Sequence, residues 1–271
     1  MITSDHQQEL ALDNIALAQI NPASGDLLGN TDRIITAIRS AKDQGAELVV
    51  LPEAAVSGYC VADTFLYDDF IKQNKKMLEE IVASTQDIVA IVGFVDYEPD
   101  VRNRDGSLRK YNAGAVLCDG KIAAIRHKTN LPNYRYFDDQ RYFHEGTNTE
   151  PVRVTLNGSE IKIGLIMCED GFDQHYDQKP VTELTRNGAE IIVSINASPY
   201  APEKFEARQE MITNHISKSG VPFVYLNTVG TGDNGKNIIP FDGRSTVHAA
   251  DGQLRGIARA FEEDLEFVKL K

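Results

Sequence analysis

Buried-strand runs and helical stripes alternate along this chain. Ile15 to Ile20 is a short apolar run that stops at Asn21-Pro22 and predicts a first strand. Behind it Ile34, Ile35, Ile38 and Ala41 recur at helical spacing up to Gly45, which predicts a helix with one buried face. LVVLPE (48–53) then reads as a buried strand stopped by Pro52 and delivering Glu53. The pattern returns: NGAEIIVSINAS (187–198) echoes QGAELVVLPE (44–53), and SKSGVPFVYLN (217–227) is a fainter third copy. Two hairpins are predicted where Asp119-Gly120 and Asp251-Gly252 separate apolar runs. Helices alternating with buried strands, with occasional hairpins, imply a layered α/β fold with mixed sheets. No linker, low-complexity tract or shift of composition divides the chain, so one domain is expected over residues 1–271.

The polar residues acquire meaning against that frame. Glu53 follows the strand ending at Leu51, Lys128 the strand 121–127, Cys168 the strand 161–166, and Ser198 the strand 191–195. In open α/β sheets, ligands bind beyond the C-terminal ends of the strands. Each residue alone has an ordinary explanation. A lone cysteine behind a strand is more often a packing residue than a nucleophile, and a lone lysine is usually solvated. Cys60 and Cys118 receive that ordinary reading and are expected to be buried packing residues.

Composition narrows the field. The chain has 271 residues, 42% hydrophobic and 25% charged, as an ordinary globular protein does. Its net charge is −12 with the basic residues scattered, which disfavours nucleic acid and anionic membrane as main partners. The opening MITSDHQQEL lacks the basic and apolar regions of a signal peptide, and the apolar stretch from Ile88 to Val95 is too short to span a bilayer. Three cysteines without a CxxC pair fit a reduced cytoplasm. None of the six histidines has metal-ligand spacing, so no metal is expected. A thiol nucleophile needs a base for its proton and a positive group for the oxyanion, and without histidine a carboxylate and an ammonium would have to serve.

LPE (51–53), RHKTNLPNY (126–134) and GLIMCED (164–170) resemble the Glu, Lys and Cys motifs of the nitrilase superfamily of carbon–nitrogen hydrolases. A finer resemblance is to one branch, the glutaminase domain of glutamine-dependent NAD synthetases. It is carried by AVSGY (55–59), LPNYRYFDDQRYF (131–143), NASPY (196–200) with Lys204 and Arg208 at matching spacing, and FDGRS (241–245). The resemblance runs from about residue 13 to about 260 with the motifs in order. It implies an αββα sandwich, doubled across a dimer interface into a four-layered body, and at least a homodimer. By carry-over, Glu53 is the general base, Lys128 the oxyanion-holding ammonium and Cys168 the nucleophile. Tyr134, Glu169, Ser198 and Lys204 match substrate-binding positions. The implied reaction is hydrolysis of the glutamine side-chain amide through a Cys168 thioester, with no cofactor, in the cytoplasm.

Three departures from the branch stand out. Its FDE is Phe137-Asp138-Asp139 here, one methylene shorter at the last acid. The loop GTGDNGKNIIPFDG (230–243) is longer and less acidic than the family's and is expected to be a flexible flap. The ATP-using synthetase half is absent from these residues, so the chain by itself is not expected to make NAD, and a separate ammonia-using synthetase is an implied partner. The altered loop keeps open a stand-alone ω-amidase, carbamoylase or nitrilase acting on another small amide. A regulatory subunit that has lost the chemistry is the non-enzymatic alternative, disfavoured by the intact Glu53, Lys128 and Cys168.

Overall fold

A computed structural model describes residues 10–147 and 149–271. The reading that the N-terminus lacks a leader falls on residues 1–9, outside that range. The chain runs β1 (Asn14–Gln19), α1 (Leu27–Asp43), β2 (Leu48–Val50), α2 (Asp68–Val82), β3 (Val89–Arg102), β4 (Leu108–Cys118) and β5 (Lys121–His127). A short α3 (Asp139–Tyr142) precedes β6 (Val152–Leu156), β7 (Ser159–Met167), α4 (Pro180–Arg186), β8 (Ile191–Asn196), α5 (Lys204–Ser219) and β9 (Phe223–Asn227). Then come β10 (Val229–Asp233), β11 (Ile238–Asp242), β12 (Thr246–His248), β13 (Leu254–Ile257) and β14 (Asp264–Lys269).

Two six-stranded sheets form, ordered β14-β1-β2-β3-β4-β5 and β13-β12-β9-β8-β7-β6. Their inner faces pack together through Ile15, Leu17, Val50 and Ile91 on one side and Ile163, Leu165, Val193 and Leu226 on the other. The alternate residues of the first sheet, Ala16, Ala18, Val49 and Val92, meet Ile34 and Ile38 of α1 and Leu78 and Ile81 of α2. Ile166, Ile192 and Tyr225 of the second sheet meet Leu184 of α4 and Ile212 and Ile216 of α5. This is an αββα sandwich. Strands apolar on both faces read as continuous apolar runs because each is covered twice. The chain echo has a structural counterpart. β2 lies parallel between β1 and β3, and β8 parallel between β7 and β9.

Local chemistry sets the boundaries. Asp26 caps α1, its carboxylate accepting from the Gly29 N–H at 2.9 Å. Two expectations need correction. Residues 230–243 form not a loose flap but the antiparallel β10–β11 hairpin, with Val229 opposite Asp242. Ile239 and Phe241 are buried there while Ile238 and Pro240 face out, an alternation of period two that makes a strand. Cys118 is only half-buried, because it lies at the β4–β5 turn rather than within a layer; Cys60 is buried, as expected. No described helix is long and apolar enough to cross a membrane.

Candidate active site

The ends of β2, β5, β7 and β8 converge on one edge of the sandwich. β2 and β3 are parallel, and two antiparallel steps return β5 to the same direction, so Glu53 and Lys128 emerge together. Glu53 is 1% exposed, and both of its oxygens are partnered. Its Oε1 accepts from Lys128 Nζ and from Asn112 Nδ2, each at 2.8 Å. Its Oε2 accepts from the backbone N–H of Ala197 at 2.7 Å, which ties this carboxylate of the first sheet to the second sheet.

Lys128 is equally buried and lies between two carboxylates: its Nζ also donates to Asp139 Oδ2 at 2.7 Å. Burial alone would depress this ammonium, but Asp139 and then Glu53 outweigh it and hold its pKa well above that of an ordinary lysine. Asp139 is therefore part of the site despite its shortened side chain. Its other oxygen accepts from Tyr59 Oη at 2.6 Å, and burial together with Asp139 keeps that phenol protonated as a donor.

Cys168 begins a single 3₁₀ turn directly after β7. Its φ of +43° lies in the left-handed region, a conformation that costs a non-glycine residue about 1–2 kcal/mol and is found where a side chain is re-aimed at a site. Its thiol is pushed well above the usual range, by burial first and by Glu53 second; Lys128 offsets only part of this. That direction favours the protonated thiol over a standing thiolate.

One cavity is lined by Cys168 together with Tyr134, Glu169, Ser198 and Lys204, so all four substrate-position candidates meet at the candidate nucleophile. The Glu169 carboxylate accepts from Tyr134 Oη at 3.0 and 3.1 Å and from Tyr176 Oη at 3.0 Å. Lys204 opens α5, with its Nζ 4.1 Å from the centre of the Phe172 ring, and no carboxylate among the described residues pairs with it. Burial lowers its pKa, while Cys168 and Glu169 act in the opposite direction. Ser198 is held rather than free: Arg208 Nε donates to its hydroxyl at 3.2 Å, and Nη2 to its carbonyl at 2.8 Å. Arg208 itself is buried and paired to Asp242 at 2.8 Å.

Asp139, Tyr59, Asn112 and Tyr176 were not singled out as site residues from the chain. Asn112 carried one weak signal, a polar residue inside the apolar run of β4; Asp139 and Tyr59 stood within motifs, the altered FDE and AVSGY, without an assigned role, and Tyr176 becomes a neighbour only on folding. Among the described residues no group of three or more His, Cys, Asp or Glu is placed to hold a metal ion.

Residues 14–271 match the family model described as carbon-nitrogen hydrolase. A glutamine-dependent NAD(+) synthetase from Xanthomonas campestris is 36% identical over 248 residues, covering 91% of this chain and 42% of that protein. Its Thermotoga maritima counterpart is 33% identical over 259 residues, covering 94% and 42%. The chain thus spans about two-fifths of the length of these curated relatives. The solved glutamine-dependent NAD+ synthetase of Acinetobacter baumannii superposes with a TM-score of 0.79 at 31% identity, covering 94% of this chain and 45% of that one. An amidase of the nitrilase superfamily from Nesterenkonia superposes at 0.78 with 20% identity, over 96% and 91% of the two chains, a likeness of fold.

Proposed function

Because the chain belongs to the carbon–nitrogen hydrolase family, we propose that it hydrolyses the side-chain amide of glutamine through a thioester on Cys168. One observation supports glutamine above all. The cavity that holds the thiol is also lined by a carboxylate, Glu169, and by an ammonium, Lys204, with which no carboxylate among the described residues pairs. They are complementary to the ammonium and the carboxylate of an α-amino acid whose amide reaches Cys168. A carboxylate has about four acceptor positions, so the two tyrosines leave Glu169 room for a substrate N–H.

The chemistry follows from the resting protonation. Glu53 takes the thiol proton as Sγ attacks the amide carbon, since no thiolate waits there. Lys128 and the backbone N–H of Glu169 hold the developing oxyanion; loss of one such donor typically slows a reaction about 10²–10³-fold. With Glu53 protonated, Lys128 remains paired to Asp139, so the ammonium stays charged and in place. Glu53 then passes its proton to the departing ammonia and draws the next one from the water that releases glutamate.

The relatives are synthetases more than twice this length, so we assign the ammonia to an amidation performed outside these residues. A second reading, an amidase for a simpler amide, is favoured by the fold shared with the Nesterenkonia enzyme and by the lengthened β10–β11 hairpin, since loops set substrate choice. Ammonia release from glutamine, asparagine and an ω-amide lacking the α-ammonium separates the two. Glutamine should exceed the others in kcat/KM by about tenfold or more, because an unmet Glu169 penalises the truncated substrate. Equal or better turnover of the ω-amide overturns the glutamine assignment.

A further inference from the structure

Asp170 lies two residues past Cys168 and is 1% exposed, yet it does not line the cavity that holds the thiol. Its carboxylate is taken up entirely by backbone. Oδ2 accepts from the Met167 N–H at 3.1 Å, and Oδ1 accepts from the N–H groups of Thr129 at 3.0 Å and Asn130 at 2.7 Å. Met167 immediately precedes Cys168, and Thr129 immediately follows Lys128. The two segments leave different sheets, β7 of the second and β5 of the first. No cation among the described residues pairs with this acid. Burial pushes its pKa up to about 7 against the pull of the three N–H groups and of Lys128. An apolar residue would fill the space without that desolvation. It could not satisfy three buried amides at once, nor pin the left-handed turn at Cys168.

From this geometry we propose that Asp170 is a positioning residue that clips the Cys168 turn to the Lys128 segment and sets the register between thiol and ammonium. The proposal rests on the reading of Cys168 as nucleophile and Lys128 as oxyanion donor. The Glu53–Ala197 bond fixes the base to the second sheet. Among the described residues, Asp170 alone joins by hydrogen bonds the backbone beside the ammonium to the backbone beside the nucleophile. Reacting groups misplaced by 1 Å can lose about 10² in rate, so the clip acts on turnover rather than on substrate binding.

Asp170→Asn is the informative variant. Its amide keeps the shape but offers one acceptor oxygen, so either Met167 or the Thr129–Asn130 pair meets an N–H donor instead of an acceptor. Per folded molecule, kcat for glutamine should fall about 10–100-fold while KM moves less than about threefold, since Tyr134, Glu169 and Lys204 are untouched. A folded variant with kcat within about twofold of wild type overturns the proposal. If the variant does not fold, amide exchange in the wild-type protein decides. Thr129, Asn130 and Met167 should open together with equal protection, because one carboxylate holds all three, and independent opening overturns the clip. Cys168→Ala is run beside it. Persistent ammonia release there sinks the reading of the nucleophile, a result distinct from anything Asp170 shows.

Discussion

The surroundings of Cys168 favour the thiol over the thiolate, and that bears on how the residues around it must act. Burial and Glu53 raise its thiol above the ordinary value of 9.0. If a free thiolate were nevertheless the reactive species, Glu53→Gln would speed labelling by iodoacetamide, because removal of the carboxylate's repulsion lowers the thiol pKa. If Glu53 takes the proton during attack, the same variant should label more slowly and lose about 10² or more of ammonia release. Faster labelling in Glu53→Gln sinks the concerted role. The raised thiol also has a sign for stability. The folded state keeps a proton that the unfolded state gives up above pH 9, so this contribution is present below pH 9 and is lost as pH rises beyond it. Thermal midpoints should therefore show Cys168→Ala gaining on the wild type between pH 7 and 10. The three reacting candidates were legible because each ends a strand inside a recognisable motif. Asp139 was obscured by its missing methylene, and Tyr59, Asn112 and Asp170 by partners 80, 59 and about 40 residues away in the chain.

Elements place these residues only where the backbone itself makes room. Gly93 of β3 lies under the turn that carries Glu53, with its N–H donating to Pro52 O at 3.1 Å. A Cβ at Gly93 would come 2.2 Å from Pro52 O, 2.5 Å from Ala54 N and 2.7 Å from Glu53 Cα. All three are backbone atoms and none can rotate away. Gly93→Ala should therefore cost about 3 kcal/mol or more and leave any folded fraction without ammonia release. A urea midpoint and turnover close to wild type would show that the Glu53 turn is not held by this contact. The period of the chain made β1, α1 and β2 legible, since each has a cleanly buried apolar face, and the Asp-Gly turns marked the two hairpins even though β5 and β13 are exposed or half-buried. It left α2 unmarked, where Ile71, Leu78 and Ile81 are diluted by charged neighbours, and β14, an edge strand whose Phe267 remains partly exposed. The hairpin at 229–242 was obscured because its glycines suggest looseness, whereas Gly232 is small so as to pass Cys60, whose Sγ would lie 2.4 Å from a Cβ there.

At the scale of the whole molecule the site is an interface between two sheets: Glu53, Lys128 and Asp139 come from the side of the first, and Cys168, Glu169 and Ser198 from the second. Its geometry therefore depends on the spacing between sheets, and that spacing is testable away from the site. Gly114 of β4 pairs with Gly93 and marks a close approach to the second sheet. A Cβ there would meet Leu165 Cδ2 at 2.9 Å and Ile195 Cδ1 at 3.1 Å, the ends of side chains rather than backbone. Those methyls can shift, so Gly114→Ala should cost about 1–2 kcal/mol, less than Gly93→Ala. The strain should nevertheless reach turnover, lowering kcat more than KM, because the two halves of the site sit on the layers being forced apart. Leu165→Ala alone should cost about 2–5 kcal/mol by opening a cavity between the sheets. Combined, the added methyl of Gly114→Ala enters the space that Leu165→Ala vacates. The double variant should then be more stable than the sum of the single losses by about 0.5–3 kcal/mol and should recover part of the lost kcat. Strictly additive stabilities, or a kcat that ignores both changes, would mean that the spacing of the layers does not set the geometry of the site.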